Sequence, residues 1–176
     1  EAGDVRAYLA SGRYTLSGDN SHFYINSVNG GNFIIDGDTN DPIVTIGGNL
    51  DFNGDVGGEI ITGTGTWTVS GNVDFTDGTY TATAGNTLQM DGPSKTITSA
   101  GNTLQNFAVT GGSVSNADAL DINGTFKIGE ELGAATFAQG ANVNVNVAGD
   151  FLLQSTATFT KASGSGKLIF DGDLDF

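Results

Sequence analysis

Apolar and polar residues alternate along most of the chain in short runs separated by Gly, Asn and Asp. Residues 79–83 and 142–147 alternate strictly, which is typical of a β-strand with one buried and one wet face. Helical periodicity is confined to residues 4–10, enough for one or two turns. The pattern therefore predicts an all-β protein.

A five-residue motif repeats along the chain. Gly-Asn-Leu-Asp-Phe at 48–52 recurs in related forms that begin at Gly71, Gly101, Gly124, Gly149 and Gly172, at intervals of 23 to 30 residues. A unit of about 23 residues with several strands and no helix is typical of one coil of a β-solenoid. We therefore expect a parallel, right-handed β-solenoid of about seven coils. An antiparallel β-sandwich is the alternative.

The motif also predicts which side chains form the core. Alternation places the third and fifth motif residues inside and the second and fourth outside. The expected core ladder is Leu50, Phe52, Val73, Phe75, Leu174 and Phe176. Asn49, Asn72 and Asn102 are expected at one common corner. Residues 1–24 fit the repeat worst and are expected to form an N-terminal cap or an irregular first coil, with solenoid repeats over 25–176.

Two stretches, 78–88 and 101–109, are rich in Gly, Thr and Asn and lack Cys. They resemble repeats in large secreted surface proteins of prokaryotes, which are β-solenoids of adhesin and sheath type. The resemblance covers residues 25–176. It implies an extracellular or cell-surface, non-enzymatic role and carries over no functional residue.

Composition excludes several function classes. The 176 residues include 6 Lys and Arg against 20 Asp and Glu, for a net charge of −14, and no Cys. This charge argues against nucleic acid as a partner, because phosphate binding needs clustered cations. The absence of Cys excludes disulfides and thiolate metal sites. No apolar run is long enough to span a membrane.

Catalytic chemistry finds weak support in the sequence. His22 is the only imidazole, and no serine nucleophile motif accompanies it, so we do not expect an enzyme. Asp51 and Asp74 occupy matching motif positions. Such a pair could serve a polysaccharide-cleaving β-helix enzyme, which remains an alternative, but we interpret the two residues as solvated surface carboxylates.

The metal hypothesis concerns calcium. Asp36, Asp38 and Asn40 place oxygen atoms at positions 1, 3 and 5 of a calcium-type loop. Asp41 stands where such a loop needs Gly, and Gly47 stands where it needs Glu. An acidic turn explains the segment as well, and no other cofactor is predicted.

Two further surface patterns have simple explanations. Threonine arrays over 62–68, 79–83 and 156–160 resemble the flat face of an ice-binding solenoid, but their offsets from the repeat glycines differ. We therefore interpret them as strand-forming residues on wet faces. Asn123-Gly124-Thr125 is a glycosylation sequon, which predicts Asn123 as an acceptor in a secreted protein.

The last segment is apolar and alternating and carries no cap. Leu168, Phe170, Leu174 and Phe176 are expected to form an open solenoid end. The chain is then either cut from a longer repeat protein or completed by a second copy stacked head to tail. We favour the second, which predicts a homopolymer forming an extracellular filament, sheath or surface layer. An adhesin or carbohydrate-binding solenoid is the alternative.

Overall fold

The computed structural model of the chain describes residues 5–18, 21–25, 33–52, 57–130 and 133–171. These residues contain 22 short strands and no helix. In chain order the strands are β1 (Val5–Tyr8), β2 (Arg13–Leu16), β3 (Phe23–Tyr24), β4 (Phe33–Asp36), β5 (Ile43–Ile46), β6 (Leu50–Asp51), β7 (Gly58–Ile61), β8 (Thr66–Val69), β9 (Val73–Asp74), β10 (Gly78–Thr81), β11 (Thr87–Met90), β12 (Lys95–Thr98), β13 (Thr103–Leu104), β14 (Asn106–Val109), β15 (Gly112–Asn116), β16 (Leu120–Ile122), β17 (Phe126–Ile128), β18 (Ala135–Gln139), β19 (Val145–Val147), β20 (Phe151–Leu153), β21 (Thr158–Lys161) and β22 (Leu168–Phe170).

The strands stack into a three-sided parallel β-solenoid. Successive strands lie on face 1 (β1 onward), face 2 (β2 onward) and face 3 (β3 onward) in turn, and each pairs in parallel with a strand three places along the chain. Faces 2 and 3 are each seven strands deep, so six full turns separate their first and last strands. The predicted parallel solenoid is confirmed, and the sandwich alternative is wrong because the strands pair in parallel. The right-handed coil stays a prediction.

Coil length varies while the strand register is kept. Paired residues on face 2 are 30 positions apart between Tyr14 and Val44, but only 19 apart between Leu88 and Phe107. The average stays near the predicted 23. The extra residues fall between the strands, so the parallel pairing is the same in long and short coils. Within residues 1–24, β1, β2 and β3 pair with β4, β5 and β6, while the boundary at residue 24 stays a prediction.

The Gly-Asn motif marks a corner, but not always the same corner. Gly48 and Gly71 lead into β6 and β9 on face 3, whereas Gly101 leads into β13 on face 1. Gly124 and Gly149 lead into β17 and β20 on face 2. The expectation that Asn49, Asn72 and Asn102 share one corner is therefore wrong for Asn102, because Gly can begin a strand at any of the three corners.

Apolar side chains stack along the solenoid axis. Leu50 is the register partner of Val73, and the rings of Phe52 and Phe75 lie edge to face with centroids 5.7 Å apart. All four of these side chains are buried. The remaining two residues of the expected ladder, Leu174 and Phe176, lie outside the described residues.

Two glycines make room for one of these rings. A Cβ built on Gly58 would lie 2.8 Å from Cδ1 of Phe52, and one on Gly78 would overlap the same ring. Both glycines are the first residues of strands on face 1, and Phe52 directly follows β6 on face 3. Close packing of an aromatic ring against backbone thus explains why these two strand positions carry no side chain.

Side-chain acceptors connect successive coils at the corners. The Oδ1 atom of Asn49 accepts a hydrogen bond from the backbone N–H of Asn72 at 2.9 Å, and Oδ1 of Asn72 accepts one from Thr96 at 3.0 Å. One coil earlier, Nδ1 of His22 accepts from the N–H of Asn49 at 2.9 Å. These bonds satisfy backbone donors that the turns remove from the strand ladder.

Face 1 contains a seam between β10 and β13, which belong to separate four-stranded sheets. The amide of Asn102 bridges it. Its Oδ1 accepts from the N–H of Tyr80 at 2.8 Å, and its Nδ2 donates to the carbonyl oxygens of Gly78 at 3.3 Å and Ser99 at 2.9 Å. One side-chain amide therefore replaces a backbone peptide group in the ladder and joins the two halves of the face.

Candidate functional site

The C-terminal end of the described solenoid presents open strand edges. Strands β20, β21 and β22 each stand last in their sheet and, among the described residues, each pairs on one side only. Apolar side chains surround these edges, with Leu153 48% exposed and Phe170 39% exposed. Leu168 lies on β22 as the register partner of Val145 and is partly buried against the core. An open edge with an apolar rim is suited to pairing with another strand.

An aromatic column connects the core to this end. The rings of Phe126 and Phe151 have centroids 5.5 Å apart, and those of Phe151 and Phe170 lie 5.7 Å apart. Phe159 also packs on Phe151, at 5.8 Å. Phe126 is fully buried, while Phe151 and Phe159 are only partly buried. The core therefore reaches the end with its packing incomplete on one side.

The N-terminal end has the same construction. Strands β1, β2 and β3 stand first in their sheets, and each pairs on one side only among the described residues. Tyr8 is 71% exposed and Tyr24 is 47% exposed, while Tyr14, Leu16 and Phe23 pack on the core and stay partly accessible. In the described part of the chain, both ends thus carry three parallel strand edges around an apolar centre, which is the arrangement that strand addition requires.

The sequence identified only part of this end. Leu168 and Phe170 lie on β22, but Leu174 and Phe176 lie outside the described residues. Phe151, Leu153 and Phe159 were missed. The looser motif copy that begins at Gly149 contains the first two of them, and knowledge of the coil register would have placed them on the last strand of face 2.

The three residues of the calcium hypothesis each have a partner within the chain. Oδ2 of Asp36 forms a salt bridge with Nη1 of Arg6 at 2.8 Å. Oδ1 of Asp38 accepts from the hydroxyl of Thr83 at 2.9 Å, and Nδ2 of Asn40 donates to the carbonyl of Leu9 at 2.9 Å. Among the described residues, no group of three His, Cys, Asp or Glu side chains could hold a metal ion. Calcium binding stays a prediction that these contacts do not favour.

The paired carboxylates are neighbours on the outer side of face 3. Asp51 and Asp74 are register partners on β6 and β9. Partial burial raises the pKa of Asp51, and the charges of Asp74 and Asp77 raise it further. Oδ1 of Asp74 is occupied by the N–H and hydroxyl of Thr76, at 2.9 and 2.6 Å. His22 lies near this face but its Nδ1 is used by Asn49.

The threonine arrays lie on three different faces. Thr66 and Thr68 are on β8 of face 2, Thr79 and Thr81 on β10 of face 1, and Thr158 on β21 of face 3. They therefore form no common threonine surface.

Asn123 is exposed at the corner before β17, where an acceptor for glycosylation would be accessible.

No protein-family model matches the chain, and neither the curated proteins nor the solved structures include a match to it. In the described part of the chain, no helix has the length and apolar character needed to cross a bilayer.

Proposed function

We propose that this protein is a structural β-solenoid that assembles head to tail into an extracellular filament, sheath or surface layer. The observation that carries the proposal is that the described residues present three strand edges around an apolar centre at each end of the solenoid. The interface would be heterologous, because the first coil of one copy meets the last coil of the next. Such an interface does not close on itself and generates a linear polymer.

Stacking is favoured by burial and opposed by charge. Covering a side chain such as Leu153 or Phe170 contributes about 1.5–3 kcal/mol when it passes from exposed to fully buried, and less from partial exposure. New backbone hydrogen bonds along three edges add to this gain. The net charge of −14 makes copies repel each other. Added salt screens that repulsion and therefore promotes assembly.

The resemblance of residues 78–88 and 101–109 to prokaryotic surface repeats supports a location outside the cell. The acidic surface is consistent with this role, because it keeps neighbouring rods apart in water while their ends associate. No catalytic residue enters the proposal.

The test compares two aspartate substitutions at equally exposed apolar residues. Phe170 on the end and Ile43 on the side of face 2 are each 39% exposed. We expect negative-stain microscopy and sedimentation velocity to show rods that lengthen with protein and salt concentration in the wild type and in Ile43→Asp. Phe170→Asp should remain monomeric, because a carboxylate buried in the interface would be unpaired.

Two results would overturn the proposal. A wild-type chain that is monomeric at every protein and salt concentration has no competent ends. If Ile43→Asp blocks assembly while Phe170→Asp does not, the copies associate through their sides and not through their ends.

A further inference from the structure

Face 2 differs in charge from the rest of the molecule. None of the residues in its seven strands is Asp or Glu, although the chain contains 20 acidic residues. Carboxylates do occur on strands of the other faces, at Asp36, Glu59 and Asp121 on face 1 and at Asp51 and Asp74 on face 3. One outward column of face 2 reads Thr15, Thr45, Thr68, Gln89, Ala108, Lys127 and Leu152. Face 2 is therefore uncharged to weakly basic along its whole length, although the protein is acidic.

A cavity of about 280 Å³ opens in this face. Its lining consists of Thr87, Asn106, Phe107, Ala108, Thr125 and Lys127. The cavity lies where the column has a short side chain, Ala108, next to the long side chain of Lys127. Ala108 is only 5% exposed, so it forms the floor, while Thr87, Asn106, Thr125 and Lys127 form the walls.

Polar groups around the cavity are in position to bind a ligand. The hydroxyls of Thr87 and Thr125 and the ammonium of Lys127 form no side-chain hydrogen bond with another residue in the described ranges. Asn106 is fixed, since its Nδ2 donates to the carbonyl of Asn86 at 3.0 Å and its Oδ1 accepts from the N–H of Thr125 at 2.8 Å. The walls are therefore held by strands and by the side-chain amide of Asn106, which lowers the entropy cost of binding.

We propose that face 2 binds a neutral glycan chain, with one sugar unit in the cavity over Ala108. Sugar hydroxyls both donate and accept hydrogen bonds, as do the threonine hydroxyls, while Lys127 adds a donor. Anionic ligands are disfavoured by the net charge of −14. The inference goes beyond head-to-tail assembly and does not depend on it.

The dimensions of the face favour a chain of sugars over a protein. Seven strands at a spacing of about 4.8 Å and four residues at about 3.3 Å each give a strip of roughly 34 by 13 Å. The projected area of this strip is about 440 Å², a small footprint for a stable protein interface, in which each partner buries roughly 800 Å² of accessible surface. A single extended glycan needs only a narrow strip. A crystalline surface such as ice would need a flat face, and the cavity interrupts this one.

Isothermal titration calorimetry with defined hexasaccharides tests the proposal. The neutral probes are cellohexaose, chitohexaose, laminarihexaose and mannohexaose, and hexagalacturonate is the anionic comparator. We expect at least one neutral probe to bind, and to bind more tightly than hexagalacturonate. Because calorimetry detects binding to monomers and rods alike, failure of assembly and failure of glycan binding give separate results.

A matched pair of substitutions locates the site. Ala108→Gln fills the cavity on face 2, while Ala138→Gln makes the same change at an outward alanine of β18 on face 3. We expect Ala108→Gln to weaken binding at least about tenfold and Ala138→Gln to leave it unchanged. Emission from the buried Trp67 verifies that both variants are folded.

A second variant keeps the test valid if Ala108→Gln fails to fold. Thr87→Val removes one hydroxyl from the wall and should also weaken binding. The proposal is overturned if none of the four neutral probes binds, if hexagalacturonate binds more tightly, or if Ala108→Gln and Ala138→Gln have equal effects.

Discussion

At the scale of single residues, side-chain amides and carboxylates supply hydrogen bonds that the turns remove from the backbone ladder. Asn102 is the clearest case, because its Oδ1 and Nδ2 atoms bond to Tyr80 and Gly78 on the neighbouring coil. Asp41 acts similarly from the surface. Its Oδ1 accepts from the N–H of Thr64 at 2.8 Å, and this contact lowers the pKa of Asp41.

Removal of the Asn102 amide should weaken the seam on face 1. Asn102→Ala leaves the N–H of Tyr80 and the carbonyl of Gly78 without this partner, and we expect a loss of about 1–3 kcal/mol in the free energy of unfolding. Urea denaturation followed by Trp67 fluorescence measures it. Asn123→Ala, at an exposed corner asparagine, should change stability by less than about 0.5 kcal/mol. Equal effects of the two substitutions would contradict the role of Asn102.

The contribution of Asp51 to folding stability should depend on pH, with the opposite sign to that of a salt-bridged carboxylate. Burial, Asp74 and Asp77 raise its pKa above the ordinary 3.8, so its ionised form is disfavoured in the folded state. The resulting loss of folding stability is present at neutral pH. It decreases as the pH falls through the raised pKa of Asp51 in the folded state, and it is gone below the pKa of Asp51 in the unfolded state.

We therefore expect Asp51→Asn to stabilise the protein at pH 7, with an advantage that shrinks as the pH approaches 4. Thermal or urea unfolding of wild type and variant across this range provides the measurement. Asp91→Asn removes the same charge from an exposed turn and serves as the control. If the stability gain of Asp51→Asn over wild type grows as the pH falls, the inferred direction of the Asp51 effect is wrong.

At the scale of strands and coils, packing decides which residue each position accepts. Phe52 fills the space over Gly58 and Gly78, and a methyl group at Gly78 would overlap its ring. The two strand positions on face 1 are thus coupled to one aromatic residue that follows β6 on face 3.

This coupling can be measured with a double-mutant cycle. Gly78→Ala alone should cost about 1–3 kcal/mol through overpacking. In a Phe52→Ala background, the same substitution should be neutral or stabilising, because the added methyl enters space that the ring has left. Chemical denaturation of the four proteins gives the cycle. Additive effects would mean that Gly78 is required for its backbone conformation and not for the ring.

The repeat pattern predicted the fold but not the full register. Period-two alternation and the motif spacing were enough for a parallel solenoid, because they depend on local sequence alone. They did not reveal that the motif at Gly101 leads to face 1 while the motif at Gly71 leads to face 3. Register partners on successive coils are 18 to 30 residues apart, so the fixed spacing that a comparison of sequence repeats assumes does not hold.

The candidate surfaces were harder to predict for the same reason. Leu168 and Phe170 could be named because they lie near the end of the sequence. The open edge at Leu153 and the cavity over Ala108 depend on which residues become neighbours across coils. That information appears only when the register is known.

At the scale of the whole molecule, stability depends on nearest-neighbour stacking. Strands pair only with strands of the coils above and below, so central strands gain pairing on two sides and terminal strands on one. The burial pattern agrees, since Trp67, Leu88 and Phe107 on β8, β11 and β14 are fully buried, whereas Leu16 and Phe151 on the terminal strands of face 2 are partly accessible.

Hydrogen exchange should reflect this gradient. We expect amides of β8, β11 and β14 to exchange at least about tenfold more slowly than those of β2 and β20 in the monomer. Under conditions that support rods, β2 and β20 should become protected, and the Phe170→Asp variant should lose that protection. Uniform exchange along the monomer would contradict a nearest-neighbour solenoid.

The variation in coil length has a practical consequence. Chain added between strands leaves the axial rise unchanged, because a 30-residue and a 19-residue coil maintain the same parallel pairing. A foreign peptide inserted between two strands should therefore leave the axial spacing of the coils unchanged. In a head-to-tail rod, the distance between such inserts would be set by the stacking of the strands and not by the length of the insert.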